Sequence, residues 1–299
     1  MKKANQNLSS IFCVAKEMKK NLGEDSFYYG ADGNDFIVAA FDGCGGSGSK
    51  KYENFSRMTG AFIGSHAVCG GVKAWFENSR EEGSMATYIG KALEVCTGFA
   101  DKTGRITGSL GKSFPTTAAI VAGSMGKSGV KANCYWAGDS RCYLLDANGL
   151  HQLTADDLDG EDAMSNLIND GVMTNVISAS NPFDLHIKSF EVSYPCILFG
   201  ATDGCFGYLR SPMEFEYILV QSLVMAKSPA EWRMAMYDKI QSVAGDDFTL
   251  CMAAFGYKDF NDMKKSFAKR YTYLDQYYIN SPRDVMELWE EYKVNYSMI

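Results

Sequence analysis

The chain has 299 residues, with 36 acidic and 29 basic side chains and a net charge of −7. An acidic surface has the wrong sign for a phosphate backbone, which excludes nucleic acid as a partner, and no apolar run approaches the ~18 residues of a membrane span. A chain of this length buries a full core without staples. The nine cysteines are scattered and contain no C-x-x-C, so they read as reduced thiols of a cytoplasmic protein. The basic N-terminus has an apolar stretch only from Ile11 to Ala15 and is not expected to be a signal peptide.

Short apolar runs bounded by Gly, Asp, Asn, Ser or Pro predict strands at 12–15, 27–29 and 36–41. Phe55, Met58, Phe62, His66 and Cys69 recur at helical spacing and predict a helix over 52–76. Tyr88, Ala92, Val95, Cys96 and Phe99 predict another over 85–99. Strands follow at 117–122, 130–137 and 142–145, then a helix at 163–170 and strands at 187–192 and 197–201. Helices at 212–225 and 229–243, a strand at 248–255 and a helical pair from Phe260 complete the chain. Strands that succeed one another without crossover helices pair antiparallel, and helices arriving in pairs form layers over the sheets.

The informative residues are acids at strand ends. Asp42 closes FIVAAF, Asp203 closes ILFGAT, and Asp139 follows VKANCYWAG. Asp246 instead opens FTLCMAAF, and Glu24-Asp25 opens SFYYG. In an antiparallel sheet the end of one strand lies beside the start of its neighbour. Glu24, Asp25, Asp42, Asp139, Asp203 and Asp246 are therefore expected on one rim. Carboxylates held so close repel one another unless cations neutralise them. Oxygen-only donors suit Mg²⁺ or Mn²⁺ and not zinc. Two such ions can activate water and clamp a phosphoryl group. Any single Asp-Gly is also an ordinary strand-ending turn; it is the ordered set that carries the signal.

Seven segments carry a resemblance. They are Lys20-Asn21-Leu22-Gly23-Glu24-Asp25-Ser26, Phe41-Asp42-Gly43-Cys44-Gly45-Gly46, Pro115-Thr116-Thr117-Ala118-Ala119 and Ala137-Gly138-Asp139-Ser140-Arg141. After these come Gly149-Leu150-His151-Gln152-Leu153-Thr154, Ala201-Thr202-Asp203-Gly204 and Asp246-Asp247-Phe248-Thr249-Leu250. In this order the chain resembles the PPM-type (protein phosphatase 2C family) metal-dependent serine/threonine phosphatases. The resemblance implies an α+β fold, a four-layer αββα sandwich of two antiparallel sheets flanked by helices, over 1–258. Residues 259–299 would form a C-terminal helical extension packed on it.

The resemblance also implies two Mn²⁺ or Mg²⁺ ions. Asp42 would bridge them, Asp203 and Asp246 would complete one, and the Gly43 carbonyl would bind the other. Glu24 and Asp25 would hold metal-bound waters. A water bridging the metals would attack a phosphoserine or phosphothreonine of a protein substrate, with no phospho-enzyme. No C-x5-R signature of the thiolate phosphatases occurs. Lys20 stands where the family usually has a phosphate-binding Arg, and lacks its bidentate fork. Cys44 replaces a frequent His, and Asp247 a frequent Asn. Asp139 stands in the place of a ligand to a third ion, whereas Gly207 replaces that ion's usual Asp.

The acidic run Asp156, Asp157, Asp159, Glu161 and Asp162 lies in the family's flap region. It reads as a solvated helix start or as a flap that disfavours acidic phosphopeptides. The Gly-Lys-Ser tripeptides at 111–113 and 126–128 lack the Gly five residues upstream that a phosphate loop needs, having Ile106 and Val121 there. The alternative to an active enzyme is a catalytically weak or inactive phosphatase-like regulatory binding module. A phosphatase for a small phosphorylated metabolite is a third reading.

Overall fold

The computed structural model describes residues 7–100, 113–160, 162–168 and 171–296. Glu161, most of the first Gly-Lys-Ser tripeptide, the last two residues of the helix expected at 163–170 and the two chain ends lie outside these. The strands are β1 (Leu8–Lys16), β2 (Ser26–Asp32), β3 (Asp35–Phe41), β4 (Lys51–Tyr52), β5 (Met58–Thr59), β6 (Ala118–Met125), β7 (Gly129–Ala137), β8 (Arg141–Asp146), β9 (Gly149–Gln152), β10 (His186–Ser193), β11 (Cys196–Ala201) and β12 (Phe248–Phe255). The helices are α1 (Gly60–Asn78), α2 (Met85–Phe99), α3 (Ser165–Ile168), α4 (Pro212–Met225), α5 (Pro229–Gln241), α6 (Phe260–Leu274) and α7 (Val285–Tyr296).

Two five-stranded antiparallel sheets result. The first runs β1-β12-β11-β8-β9 and the second β10-β7-β6-β3-β2. They pack face to face with helices outside, a four-layer αββα sandwich. The side-chain period of two explains why the central strands are apolar on both faces. On β3, Phe36 and Val38 enter the layer between the sheets, while Ile37, Ala39 and Phe41 meet α1 and α2. On β12, Cys251, Ala253 and Phe255 enter the same middle layer, while Leu250, Met252 and Ala254 join the core under the other helices. The edge strand β10 alternates between half-buried and exposed positions instead. At Gly200 a Cβ would come within 2.5 Å of the Ala119 carbonyl oxygen, so glycine lets β11 and β6 approach across the middle layer.

The expected helix over 52–76 begins late. Residues 52–59 form β4, a single 3-10 turn and β5, and α1 starts only at Gly60. Ser56 and Arg57 have φ of 54° and 64°, a left-handed conformation that breaks a right-handed helix. Thr59 then caps α1, its hydroxyl accepting from the Phe62 amide at 3.1 Å. Strand β9 was not among the expected strands; at four residues it is too short to show periodicity. The helices at 85–99 and 212–225 agree to the residue with α2 and α4.

The tail packs against the first sheet's helical layer. Met263, Phe267, Leu274, Leu288, Trp289, Tyr292 and Tyr296 are all buried there. Glu216 on α4, fully buried, takes two 2.7 Å bonds from Arg270 on α6 and a 2.6 Å bond from the Tyr292 hydroxyl on α7. Removing one partner of a buried ion pair strands the other charge. Arg270→Ala is therefore expected to cost about 3–5 kcal/mol in urea unfolding. Replacing Glu216 and Arg270 together by Leu should cost less; a double variant as unstable as Arg270→Ala would refute this account.

Candidate metal centre

Strand register decides which acids meet. Ser26 pairs with Phe41 across β2 and β3, so Asp25 enters β2 where Asp42 leaves β3. Ala201 pairs with Leu250 on one side and Arg141 on the other. Asp203, just past β11, therefore shares an end with Asp246 and Asp139, which precede β12 and β8. The two sheets bring their ends to one rim. There Asp42 lies within electrostatic reach of Asp203, Asp25, Asp139 and Asp246.

This rim is costly to charge. Burial first, then repulsion by Asp203, pushes Asp42 well above the usual carboxylate range. Burial first, opposed by the Thr202 hydroxyl and reinforced by Asp203, pushes Asp25 up to about 8. Burial and Asp203 push Asp139 to about 8, and burial and Asp246 push Asp203 to about 6. Glu24 is raised by burial and by Asp247 and Asp246, while its bond from Thr59 pulls the other way. Asp246 is exposed, at the open end of the group.

The backbone around these acids is tied down. The Glu24 amide donates to Asp247 Oδ2 at 2.6 Å, and the Met18 amide to Asp247 Oδ1 at 2.6 Å. Asp247 thus clasps the loop before β2 to the loop before β12, a role that sequence reading missed. Thr59 Oγ1 donates to Glu24 Oε1 at 2.5 Å, and Ser65 Oγ to the Glu24 carbonyl at 2.5 Å. The Thr202 hydroxyl donates to Asp25 Oδ2 at 3.0 Å and accepts from the Thr249 amide at 2.9 Å. The Asp42 carbonyl accepts from the Thr117 amide at 2.8 Å and from Thr116 Oγ1 at 2.6 Å. A Cβ on Gly43 would lie 2.6 Å from the Ala61 carbonyl oxygen and 2.7 Å from that of Glu24. Only glycine fits that position.

Donor chemistry fits a hard divalent cation. Asp25 Oδ1 and Asp139 Oδ1 are buried with no hydrogen-bond partner, and unpartnered buried carboxylate oxygens are stabilised by a cation. Among the described residues, no three Asp, Glu, His or Cys side chains stand at ligand spacing around one point. The acids share a rim without forming a closed cage, as mutual repulsion between neighbouring carboxylates favours.

Two cavities flank the rim. One, of about 290 Å³, is lined by Asp139, Asp203, Arg141 and Tyr208. The other, of about 260 Å³, lies against Glu24 and Asp246. Lys20 is exposed, and its neighbour Lys19, not Lys20, lines this second cavity.

Within the acidic run of the flap region Asp162 sits at a helix start, accepting from the Met164 and Ser165 amides at 3.1 and 2.9 Å, while Asp156 and Asp157 are paired inside the fold. Asp156 is 1% exposed and makes a two-pronged ion pair with Arg141, itself 2% exposed, with a shortest contact of 2.6 Å. Asp157 accepts from the Gly138 amide at 2.8 Å and pairs with His186 at 2.8 Å. Asp162 accepts from Trp289 Nε1 on α7 at 3.0 Å. These acids anchor the flap to the rim and to the tail. A run of acids looks solvated in sequence because its partners are distant along the chain.

No family model matches this sequence, and no curated protein matches it. Solved structures do. A bacterial serine phosphatase aligns with a TM-score of 0.59 at 14% identity, covering 83% of this chain and 98% of that one. The serine/threonine phosphatase Stp1 from Staphylococcus aureus gives 0.58 at 15% identity, covering 86% and 100%. The catalytic domain of the serine/threonine protein phosphatase PstP, in complex with two manganese ions, gives 0.54 at 14% identity, covering 83% and 98%. The chain shares the fold of the PPM-type phosphatases.

The rim makes stability depend on pH. Asp25, Asp139 and Asp203 bind protons more tightly folded than unfolded, where the value is 3.8. Their contribution is therefore full below the unfolded value and is lost as pH rises through about 6 and about 8. In excess chelator the melting temperature should fall between about pH 5.5 and 8.5, and Mn²⁺ should restore it at the alkaline end. A melting temperature that climbs over this interval in chelator contradicts the account.

Proposed function

We propose that the chain is a Mn²⁺- or Mg²⁺-dependent phosphatase that hydrolyses phosphoserine and phosphothreonine in proteins. The observation that carries this reading is the gathering of Asp25, Asp42, Asp139 and Asp203 at one rim of this fold, with buried oxygens left unpartnered. Asp42, Asp203 and Asp246 would hold the ions together with the Gly43 carbonyl. Glu24 and Asp25 would support their hydration, and Asp139 is the ligand left for a third. Bound there, a pair of such cations lowers the pKa of water and offsets the charge of the phosphoryl group.

The chain's own residues supply the positioning. Thr202 fixes one oxygen of Asp25 and leaves the other free for a ligand. Asp247 fixes the Glu24 loop against the Asp246 loop. Burial raises the thiols of Cys142, Cys205 and Cys251 well above their ordinary value, so these three do not supply a thiolate nucleophile. We take 1–258 as the catalytic unit and 259–299 as an extension whose helices complete one outer layer. Among the described residues no helix is long and apolar enough to cross a membrane, and the substrate is taken to be a phosphoprotein in the cytoplasm.

The test is direct. Protein stripped with chelator and assayed on an aryl phosphate should gain turnover on adding Mn²⁺ or Mg²⁺ and not without them. Asp42→Ala should reduce turnover by about 100-fold or more, the scale of losing one principal electrostatic element of a site. Equal turnover in Asp42→Ala, or no response to metal, overturns the enzyme reading in favour of a binding module without catalysis.

A further inference from the structure

The cavity beside Glu24 is lined by charges of both signs. Glu24, Asp246 and Asp247 are its acids; Lys19, Lys51 and Arg57 are its bases. Met58 and Phe62 add apolar surface. Three cations thus stand beside three acids on one small cavity.

These cations come from two separate segments. Lys19 follows β1, and Lys51 and Arg57 belong to the excursion 51–59 that displaces the start of α1. The excursion holds two successive L-residues, Ser56 and Arg57, at φ of 54° and 64°, a conformation adopted only at a cost. Lys51 is exposed. Among the described residues Arg57 pairs with a solvated carboxylate, Glu53 at 3.4 Å, with the side chains 71% and 72% exposed. Such a pair is weak and gives way readily to another anion.

We propose that this cavity is a subsite for an anionic group flanking the phosphorylated residue of the substrate, with Lys51 and Arg57 as its specificity-determining residues. The proposal rests on the phosphatase reading above. An acidic rim repels a substrate whose neighbouring residues are also acidic, whereas the cations lining the adjacent cavity favour an anion at one position. The volume of about 260 Å³ is below the ~300–1,000 Å³ of a whole-ligand pocket and accommodates a single side chain. Both a carboxylate and a second phosphate carry the required charge.

Three peptides distinguish the sources. Each carries a non-hydrolysable phosphonate analogue of phosphoserine, flanked by Gln, by Glu or by a second phosphonate. Binding is measured by fluorescence anisotropy with Mn²⁺ present, for the wild type and for the Lys51→Gln/Arg57→Gln variant. The wild type should bind an anion-flanked peptide about fivefold more tightly than the Gln peptide at low salt, with the gain shrinking as salt rises. The larger gain of the two anionic arms identifies the flank, and the double variant should abolish it. No gain in the wild type, or a gain that persists in the variant, overturns the subsite. Turnover of an aryl phosphate is measured separately. Its absence removes the phosphatase reading, while the peptide comparison still decides the subsite.

Discussion

Mutual repulsion among half-buried carboxylates is the constraint around which this molecule is arranged. Asp25, Asp42, Asp139 and Asp203 come from four different strand ends, and burial alone raises each of them before any neighbour is counted. Nothing local keeps such groups together. They are held by two sheets packed face to face, whose strands end at a common rim because neighbouring strands pair antiparallel with an unbroken register at the site. The middle layer supplies the rigidity: small and apolar residues such as Ala119, Val121, Cys251 and Ala253 fill it, and Gly200 allows the sheets their closest approach. A scaffold that over-determines strained positions is the usual companion of a site that binds cations or reacts.

A second set of charges is treated in the opposite way. Arg141 follows Asp139 by two residues, yet its guanidinium is fully paired with Asp156 and stacked 4.4 Å over the Phe206 ring. Glu216 is likewise saturated by Arg270 and Tyr292. The interior therefore separates charges that are compensated internally from charges at the rim that are not. Trp289 and Asp162 link α7 to the flap, and Asp156 links the flap to Arg141. The tail is continuous with the site through side-chain bonds, although it is remote from it in sequence.

Much of the architecture was legible in the residues. Runs such as FIVAAF and FTLCMAAF announce strands covered on both faces, and Asp following a strand on one side and preceding it on the other implies a shared rim under antiparallel pairing. Legibility ended where the backbone departed from regular geometry. Phe55, Met58 and Phe62 are spaced as on a helix, yet Ser56 and Arg57 turn left-handed before α1 begins. Periodicity reports which side chains are buried and does not report φ.

By itself, the sequence determined most of the order of the strands and helices and the set of acids at strand ends, because alternation and helical spacing are local properties of the chain; the four-layer sandwich was implied by the resemblance of the seven ordered segments. Tertiary structure alone decided which oxygens of those acids are buried without hydrogen-bond partners, that Asp156, Asp157 and Asp162 are structural anchors, and that Asp247 is a clasp. It also decided that Lys19, Lys51 and Arg57, and not Lys20, line the cavity beside the rim. The reason is physical. The energy of a charge depends on burial and on neighbours brought from elsewhere in the chain, and neither is set until the two sheets have packed.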